Sequence, residues 1–119
     1  MDAGTTYSAI VGNVIKRLRD TKSISQGDMA KEMGISQAAW SKLENGKSTL
    51  SASQLAKAAD YLSIPTHQII HYADDTKKGL KENGMTVTYD NKEAAKIGLM
   101  LLGAAAIGAI IATIVLAKK

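Results

Sequence analysis

The 119-residue sequence contains no cysteine, no phenylalanine and a single proline. Without cysteine the chain has neither a disulfide framework nor a thiolate metal site, and a reducing compartment is tolerated. With so little proline to interrupt helices, a helix-rich chain is the natural interpretation. His67 and His71 are four residues apart but have no fixed set of further ligands, so no metal site is predicted.

Catalytic patterns are also missing from the sequence. No nucleophile is paired with a base, no carboxylates cluster, and no glycine-rich loop is placed to hold a phosphate. The sequence therefore predicts no enzyme, no cofactor and no small-molecule substrate.

The formal net charge of +4 is unevenly distributed. Residues 1–75 carry eight basic and eight acidic side chains, whereas residues 76–119 carry seven lysines against three acidic residues. The net charge is therefore no evidence that the amino-terminal part binds nucleic acid, and that argument has to come from local groups of basic residues.

Residues 25–46, SQGDMAKEMGISQAAWSKLENG, have the pattern of two short helices joined by a tight turn. Ser25 and Ser36 are suited to cap the two helices, and Gly34 between them adopts the left-handed conformation without a Cβ penalty. Apolar residues at helical spacing predict the buried faces, namely Met29, Ala30, Met33, Ile35, Trp40 and Leu43. The stretch predicts a helix-turn-helix.

The outward face of the second helix carries short polar groups and one cation, namely Gln37, Ala38, Ser41, Lys42 and Asn45. Amide side chains on such a face can bind adenine edges in the major groove, and cations can meet guanine or phosphate. The composition of this face therefore favours contact with double-stranded DNA.

These residues resemble the DNA-binding domain of the lambda-repressor and Cro class, also called the XRE-type helix-turn-helix. The resemblance covers roughly residues 7–72, through VGNVIKRLR from Val11, Ser25-Gln26, Ser36-Gln37, Glu44-Asn45-Gly46-Lys47 and Ser63-Ile64-Pro65. It implies an all-α, five-helix domain over residues 7–73. Two positions depart from the family pattern, because Trp40 replaces a β-branched residue and Leu43 an aromatic one, which indicates a swapped core pair.

The resemblance also implies a set of contacts. In that family the residues that match Gln26, Gln37, Ala38, Ser41 and Lys42 face DNA, and those that match Arg17 and Lys47 often lie near phosphates. A solvated basic face is the alternative for Lys16, Arg17 and Arg19. The expected DNA-binding residues are Gln26, Ser36, Gln37, Ala38, Ser41, Lys42, Asn45, Lys47 and Arg17.

The segments on either side of this domain have a different composition. Residues 1–6 are expected to be frayed, and residues 74–92 to form a polar linker that behaves as a flexible coil. Within the linker, Met85–Tyr89 alternates well enough for one short strand, which could pair with its copy in a second chain.

Ile97–Ala117 runs for 21 residues without a charged, amide or aromatic side chain. As one helix it would be about 31 Å long, which matches the hydrocarbon core of a bilayer. Residues 93–119 are therefore interpreted as a membrane-anchor helix with basic flanks; the alternative is a soluble bundle in which several copies bury the helix. The expected lipid contacts are Ile97, Leu101, Ile107, Ile111 and Leu116.

Two further expectations concern this segment. Ala104, Gly108 and Ala112 form a small-residue row at which two helices could approach closely in a homodimer. Five lysines precede the segment from residue 76 onward and two follow it, which favours a single-pass inner-membrane protein with its amino-terminal domain in the cytoplasm.

The leading functional hypothesis is a membrane-anchored, sequence-specific DNA-binding transcriptional regulator that uses Ser36–Asn45 as its recognition helix. The expected partners are double-stranded DNA, membrane lipid and a second copy of the chain. The alternative is a membrane-bound adaptor that uses the helix-turn-helix fold to dock a cytoplasmic protein, which the neutral charge of residues 1–75 favours.

Overall fold

The structure is a computed structural model that describes residues 3–117, apart from the side chains of residues 104–106 and 114–117. Over that range it is mostly helical. The elements, in chain order, are β1 (Ala3–Thr6), α1 (Tyr7–Thr21), α2 (Gln26–Met33), α3 (Gln37–Glu44), α4 (Ala52–Leu62), α5 (Thr66–Glu82), β2 (Thr86–Thr88), α6 (Asn91–Lys96), β3 (Met100–Leu101) and α7 (Ala104–Ala117).

The helix ends follow the chemistry of their capping residues. The Ser25 hydroxyl accepts the backbone N–H of Asp28, and the Ser36 hydroxyl accepts that of Ala39, so each satisfies an otherwise unpaired donor. Gly34 ends α2 in the left-handed conformation with φ of 72°. The caps and the turn predicted for the helix-turn-helix are confirmed.

The core lies where α1 packs against α3, α4 and α5. Trp40 is fully buried and Leu43 nearly so, and both belong to the main core cluster, as the swapped core pair requires. Burial of a tryptophan side chain contributes strongly to stability because the ring removes a large apolar area from water. The α1 side of this core consists of Ile10, Val11, Val14, Ile15 and Leu18.

The amino terminus differs from the expectation of a frayed segment. Ala3–Thr6 forms β1, the central strand of a three-stranded sheet with the order β2-β1-β3. Both neighbours are parallel to it, with Gly4 opposite Thr86 on one side and Ala3 opposite Met100 on the other. The strand is stable because its backbone groups are paired on both sides, which allows short polar residues to be buried. The fold over the described residues is therefore mostly helical with one three-stranded sheet, and not all-α as expected.

The linker expected over residues 74–92 is largely regular structure. Helix α5 continues to Glu82 because its buried face continues past residue 73, with Thr76 and Leu80 both buried. Residues 86–88 form β2, which pairs with β1 of the same chain. The domain boundary expected at residue 73 therefore falls inside a helix.

The single carboxyl-terminal helix expected over residues 93–119 is broken into α6, β3 and α7. Gly98 follows α6 with φ of 67°, a conformation that ends a helix and that glycine adopts without strain. The last helix, α7, has 14 residues. Across residues 3–117, none of the helices has the length and apolar character needed to cross a bilayer.

Helix α7 packs on the domain itself, against α1 and α5. Ile107 and Ile111, which were expected to face lipid, are buried in the core at 1% and 0% exposure. The Gly108 carbonyl accepts a hydrogen bond from Arg17 Nη2 at 3.3 Å, so this small residue faces α1 rather than a second helix of its kind. Ala112 is half-buried, and the side chains of Ala104 and Leu116 lie outside the described residues.

Candidate nucleic-acid interface

One side of α3 is open to solvent and carries small or polar side chains. Ser36, Gln37, Ala38, Lys42 and Asn45 are exposed, and Ser41 is half-buried. Six of the nine expected DNA-binding residues thus lie on one helix and its two caps. The face has no large apolar side chain that would obstruct a close approach.

Behind this face lies a buried carboxylate. Glu44 is 1% exposed and accepts hydrogen bonds from three side chains. Arg19 donates through Nε at 2.7 Å and through Nη2 at 3.0 Å, and the Trp40 indole N–H donates at 2.6 Å. Gln26 Nε2 completes the set at 2.9 Å. These contacts connect α1, α2 and α3 through one charged group.

Arg19 is the cation that balances Glu44. It is 6% exposed, and its Nη1 donates to the carbonyl of Ile24 at 2.7 Å. Hydrogen bonding to Glu44 raises the pKa of Arg19, in opposition to the burial that lowers it. Arg19 is therefore neither part of a solvated basic face nor available to a phosphate.

Gln26 connects the buried Glu44 carboxylate to the exposed side chain of Gln37. A carboxylate only accepts hydrogen bonds, so the bond to Glu44 requires that the NH2 group of Gln26 point inwards and its Oε1 outwards. Gln26 Oε1 then accepts the Gln37 side-chain NH2 at 3.4 Å. The exposed amide of Gln37 is thus held at the first turn of α3 by a chain of contacts that begins at Glu44.

The loop after α3 returns close to the helix. The backbone N–H of Lys47 donates to the carbonyl of Lys42 at 2.9 Å, which keeps both exposed lysines at one end of α3. An open groove of about 470 Å³ lies between α3, this loop and the start of α4, with Lys42, Ser48, Thr49 and Gln54 among its lining residues. The groove is polar on its loop side and continues the exposed face of α3.

Arg17 is not part of this surface. It lies two residues before Arg19 on α1, which places it about 200° around the helix from the side that meets α3. Its guanidinium contacts α7 at Gly108. The structure thus brings eight of the nine expected residues to α3 and its neighbouring segments and separates Arg17 from them.

Three contacts of this region are absent from the sequence predictions. The hydrogen bond between Trp40 and Glu44 joins residues with the helical i,i+4 spacing, so it could have been predicted from the sequence. The pairing of Arg19 with Glu44 and the hydrogen bond from Asn91 Nδ2 to the Gly46 carbonyl at 2.8 Å join residues that are 25 and 45 positions apart. No spacing rule connects such distant positions.

Two short helices crossing at a left-handed glycine, with a polar face exposed on the second, define a helix-turn-helix protein. The chain belongs to the helix-turn-helix domain family, whose model matches residues 10–69, half of the chain. The structure is similar to the crystal structure of the clp gene regulator ClgR from Corynebacterium glutamicum, with a TM-score of 0.60 and 19% sequence identity, covering 65% of this chain and 84% of that one. At that identity the likeness shows the fold. No curated protein matches the chain.

Proposed function

We propose that the chain is a sequence-specific regulator of transcription that binds double-stranded DNA with α3 in the major groove. The observation that carries this proposal is the chain of hydrogen bonds from Glu44 through Gln26 to Gln37, which holds an exposed amide at the front of an unobstructed helix. Membership of the helix-turn-helix family supports it, as does the likeness to a protein described as a gene regulator.

The dimensions and chemistry of α3 suit a major groove. An α-helix with its side chains is about 10–12 Å in diameter, and the major groove is about 12 Å wide. The Gln37 amide offers a donor and an acceptor, the pair that binds the N6 and N7 atoms of adenine. The methyl group of Ala38 suits a thymine methyl, and Ser41 and Asn45 extend the polar face along the helix.

Contacts with the DNA backbone would come from the ends of the motif. The exposed Lys42 and Lys47 lie together at the carboxyl end of α3, and Gln26 stands at the first position of α2, where backbone N–H groups attract anions. A homodimer belongs to the proposal because one α3 reaches few base pairs, whereas two copies can occupy half-sites about 34–36 Å apart.

Replacing Gln37 by alanine is expected to weaken binding to the cognate operator by about 1–3 kcal/mol and to leave binding to random DNA nearly unchanged. The substitution removes the base-reading amide and leaves the Glu44 contacts in place. A quantitative mobility-shift assay with both DNAs measures this difference. The control is Gln68→Ala on α5, which should alter neither affinity. Equal losses on operator and random DNA would contradict base readout by Gln37.

Lysine substitutions test the backbone contacts. Changing Lys42 or Lys47 to glutamine should lower affinity for all DNA sequences and reduce the slope of log K against log salt by about one for each phosphate that the variant no longer neutralises. The matched control is Lys57→Gln, an exposed lysine on α4. If all three variants have the same salt slope as the parent chain, these lysines bind no phosphate.

A protein-docking function remains the second candidate because residues 1–75 have no net charge. The same salt titration separates the two functions, since an adaptor would show no steep, salt-dependent binding to DNA. The inner-membrane location stays a prediction from the sequence, and fractionation of cells that express the intact chain tests it.

A further inference from the structure

A group of large apolar side chains remains exposed at the carboxyl-terminal part of the fold. Among the described residues the large hydrophobic side chains that are mostly exposed are Tyr89, Ile97, Met100 and Leu101. The last three lie within five residues of one another and are 56%, 53% and 50% exposed. We call Ile97, Met100 and Leu101 the apolar edge. Apolar side chains that are exposed next to one another, unlike single exposed ones, mark contact surfaces.

The geometry of this segment keeps the apolar edge at the outside of the fold. Met100 and Leu101 form β3, whose inner side pairs with β1, and the sheet order leaves β3 at an end. Ile97 caps the carboxyl end of α6, only three residues before β3. A chain extends at most about 3.6 Å per residue, so the three positions span no more than about 14 Å.

Positive charge lies next to the apolar edge. Lys92 and Lys96 are exposed and four residues apart on α6, so they share one side of that helix. Two acidic groups lie nearby: Asp90 uses its carboxylate to accept the Glu93 N–H at 2.9 Å, and Glu93 itself is exposed. Residues 76–119 as a whole, α6 included, hold seven lysines against three acidic residues, so the net charge of +4 comes from the carboxyl-terminal part of the chain that carries the apolar edge.

We propose that the apolar edge and the two lysines of α6 dock on an anionic lipid surface. Such a surface accepts both components at once, because acyl chains take up apolar side chains while lipid headgroups attract lysines. Ile107 and Ile111 take no part, since they are buried against α1 and α5.

A second copy of the chain fits this region less well. A stable interface buries about 800 Å² per partner, and β3 offers two residues along its edge. Two copies would also place Lys92 and Lys96 against their own counterparts, so like charges would repel. Nucleic acid would pair with the lysines but gains nothing from exposed isoleucine, methionine and leucine.

The test uses the full chain and vesicle flotation. Vesicles of phosphatidylcholine alone are compared with vesicles in which part of the lipid is phosphatidylglycerol. The parent chain should float with the anionic vesicles and much less with the neutral ones. The triple variant Ile97→Ser, Met100→Ser, Leu101→Ser should bind at least about 30-fold more weakly, and Lys92→Gln with Lys96→Gln at least about tenfold more weakly.

Matched controls separate the proposed site from non-specific attraction. Tyr89→Ser alters the most exposed aromatic side chain, which lies outside the apolar edge, and should bind as the parent does. Lys31→Gln with Lys57→Gln removes equal charge from α2 and α4, and Lys118→Gln with Lys119→Gln removes it from the end of the chain. The single variant Ile97→Ser is expected to bind the anionic vesicles about threefold more weakly than the parent. It replaces the triple variant as the test if circular dichroism shows that the triple variant has unfolded.

The proposal fails if the triple or single apolar-edge variant floats as well as the parent, or if the control pairs weaken binding as much as the α6 pair does. It also fails if the parent self-associates in sedimentation and the apolar-edge variants do not, because the occupant is then a second copy. The apolar-edge variants retain every charge, so their DNA binding should equal that of the parent. A failure to bind lipid therefore leaves the proposed regulatory function untouched.

Discussion

Replacing Glu44 by alanine is expected to lower the free energy of unfolding by about 3–5 kcal/mol. The substitution removes the two hydrogen bonds of the buried Arg19 guanidinium to Glu44, so that only the half-exposed Asp20 carboxylate at 3.3 Å remains as its counter-charge. It also removes the acceptor of the Trp40 indole N–H. A buried charge that loses its main partner costs far more than the missing attraction alone, because burial has already removed it from water. The midpoint and slope of a urea unfolding curve measure the change.

Two comparisons show whether the buried charge is the cause. Glu32→Ala removes an exposed acid from α2 and should change stability by less than about 0.5 kcal/mol. The double variant Arg19→Met, Glu44→Leu removes both charges and should be less destabilised than Glu44→Ala, because no ion is left unpaired. If Glu44→Ala lowers stability by less than about 1 kcal/mol, the charge network is not what holds α1, α2 and α3 together.

The same substitution has a consequence at the surface. Without Glu44 the amide of Gln26 has no acceptor that fixes its orientation, so its oxygen is no longer directed at Gln37. The stability of the core and the order of the exposed amide thus depend on one carboxylate.

The helix-turn-helix was predictable because its signals are local. Ser25, Ser36 and Gly34 act on backbone groups within four residues of themselves, and the apolar spacing of Met29 and Met33 needs only the helical period. Such signals remain valid whatever the rest of the chain does. They were sufficient to predict α2, α3 and the exposed face of α3.

The carboxyl-terminal part was not predictable from composition. An isoleucine pair four residues apart, such as Ile107 and Ile111, looks the same whether it faces lipid or a protein core, because both environments exclude water. The surface that covers them belongs to α1 and α5, far away in the sequence. Hydropathy therefore predicted correctly that Ile107 and Ile111 are removed from water, but it could not predict that α1 and α5 cover them.

Strand β1 illustrates the same limit. Ala3–Thr6 has no apolar alternation, so nothing in AGTT itself predicts a strand. Its hydrogen-bond partners, β2 and β3, lie more than 80 residues later in the chain. The Arg19–Glu44 pair is a third case, in which two ordinary charged residues acquire a role only when three helices meet.

Replacing Gly12 by alanine is expected to lower the free energy of unfolding by about 3 kcal/mol, at the upper end of the usual cost of overpacking. Gly12 lies in α1 where the backbone of α3 crosses it. A Cβ at this position would clash with the carbonyl oxygen of Leu43 and would approach the carbonyl oxygen of Glu44 to 2.7 Å. Both are backbone atoms at the end of α3, so relief requires that the two helices move apart.

Gly79→Ala on α5 is the matched control, because that glycine is also helical and has no heavy atom within 4 Å of an added Cβ. It should raise stability by about 0.5–1 kcal/mol through helix propensity. Urea unfolding of both variants measures the contrast, and Gly12→Ala should also weaken operator binding because the end of α3 carries Lys42 and Glu44. If the two substitutions had the same effect, α1 and α3 would not be in close contact. The exposed face of α3 would then depend for its position on α2 and on the hydrogen bonds between Arg19 and Glu44.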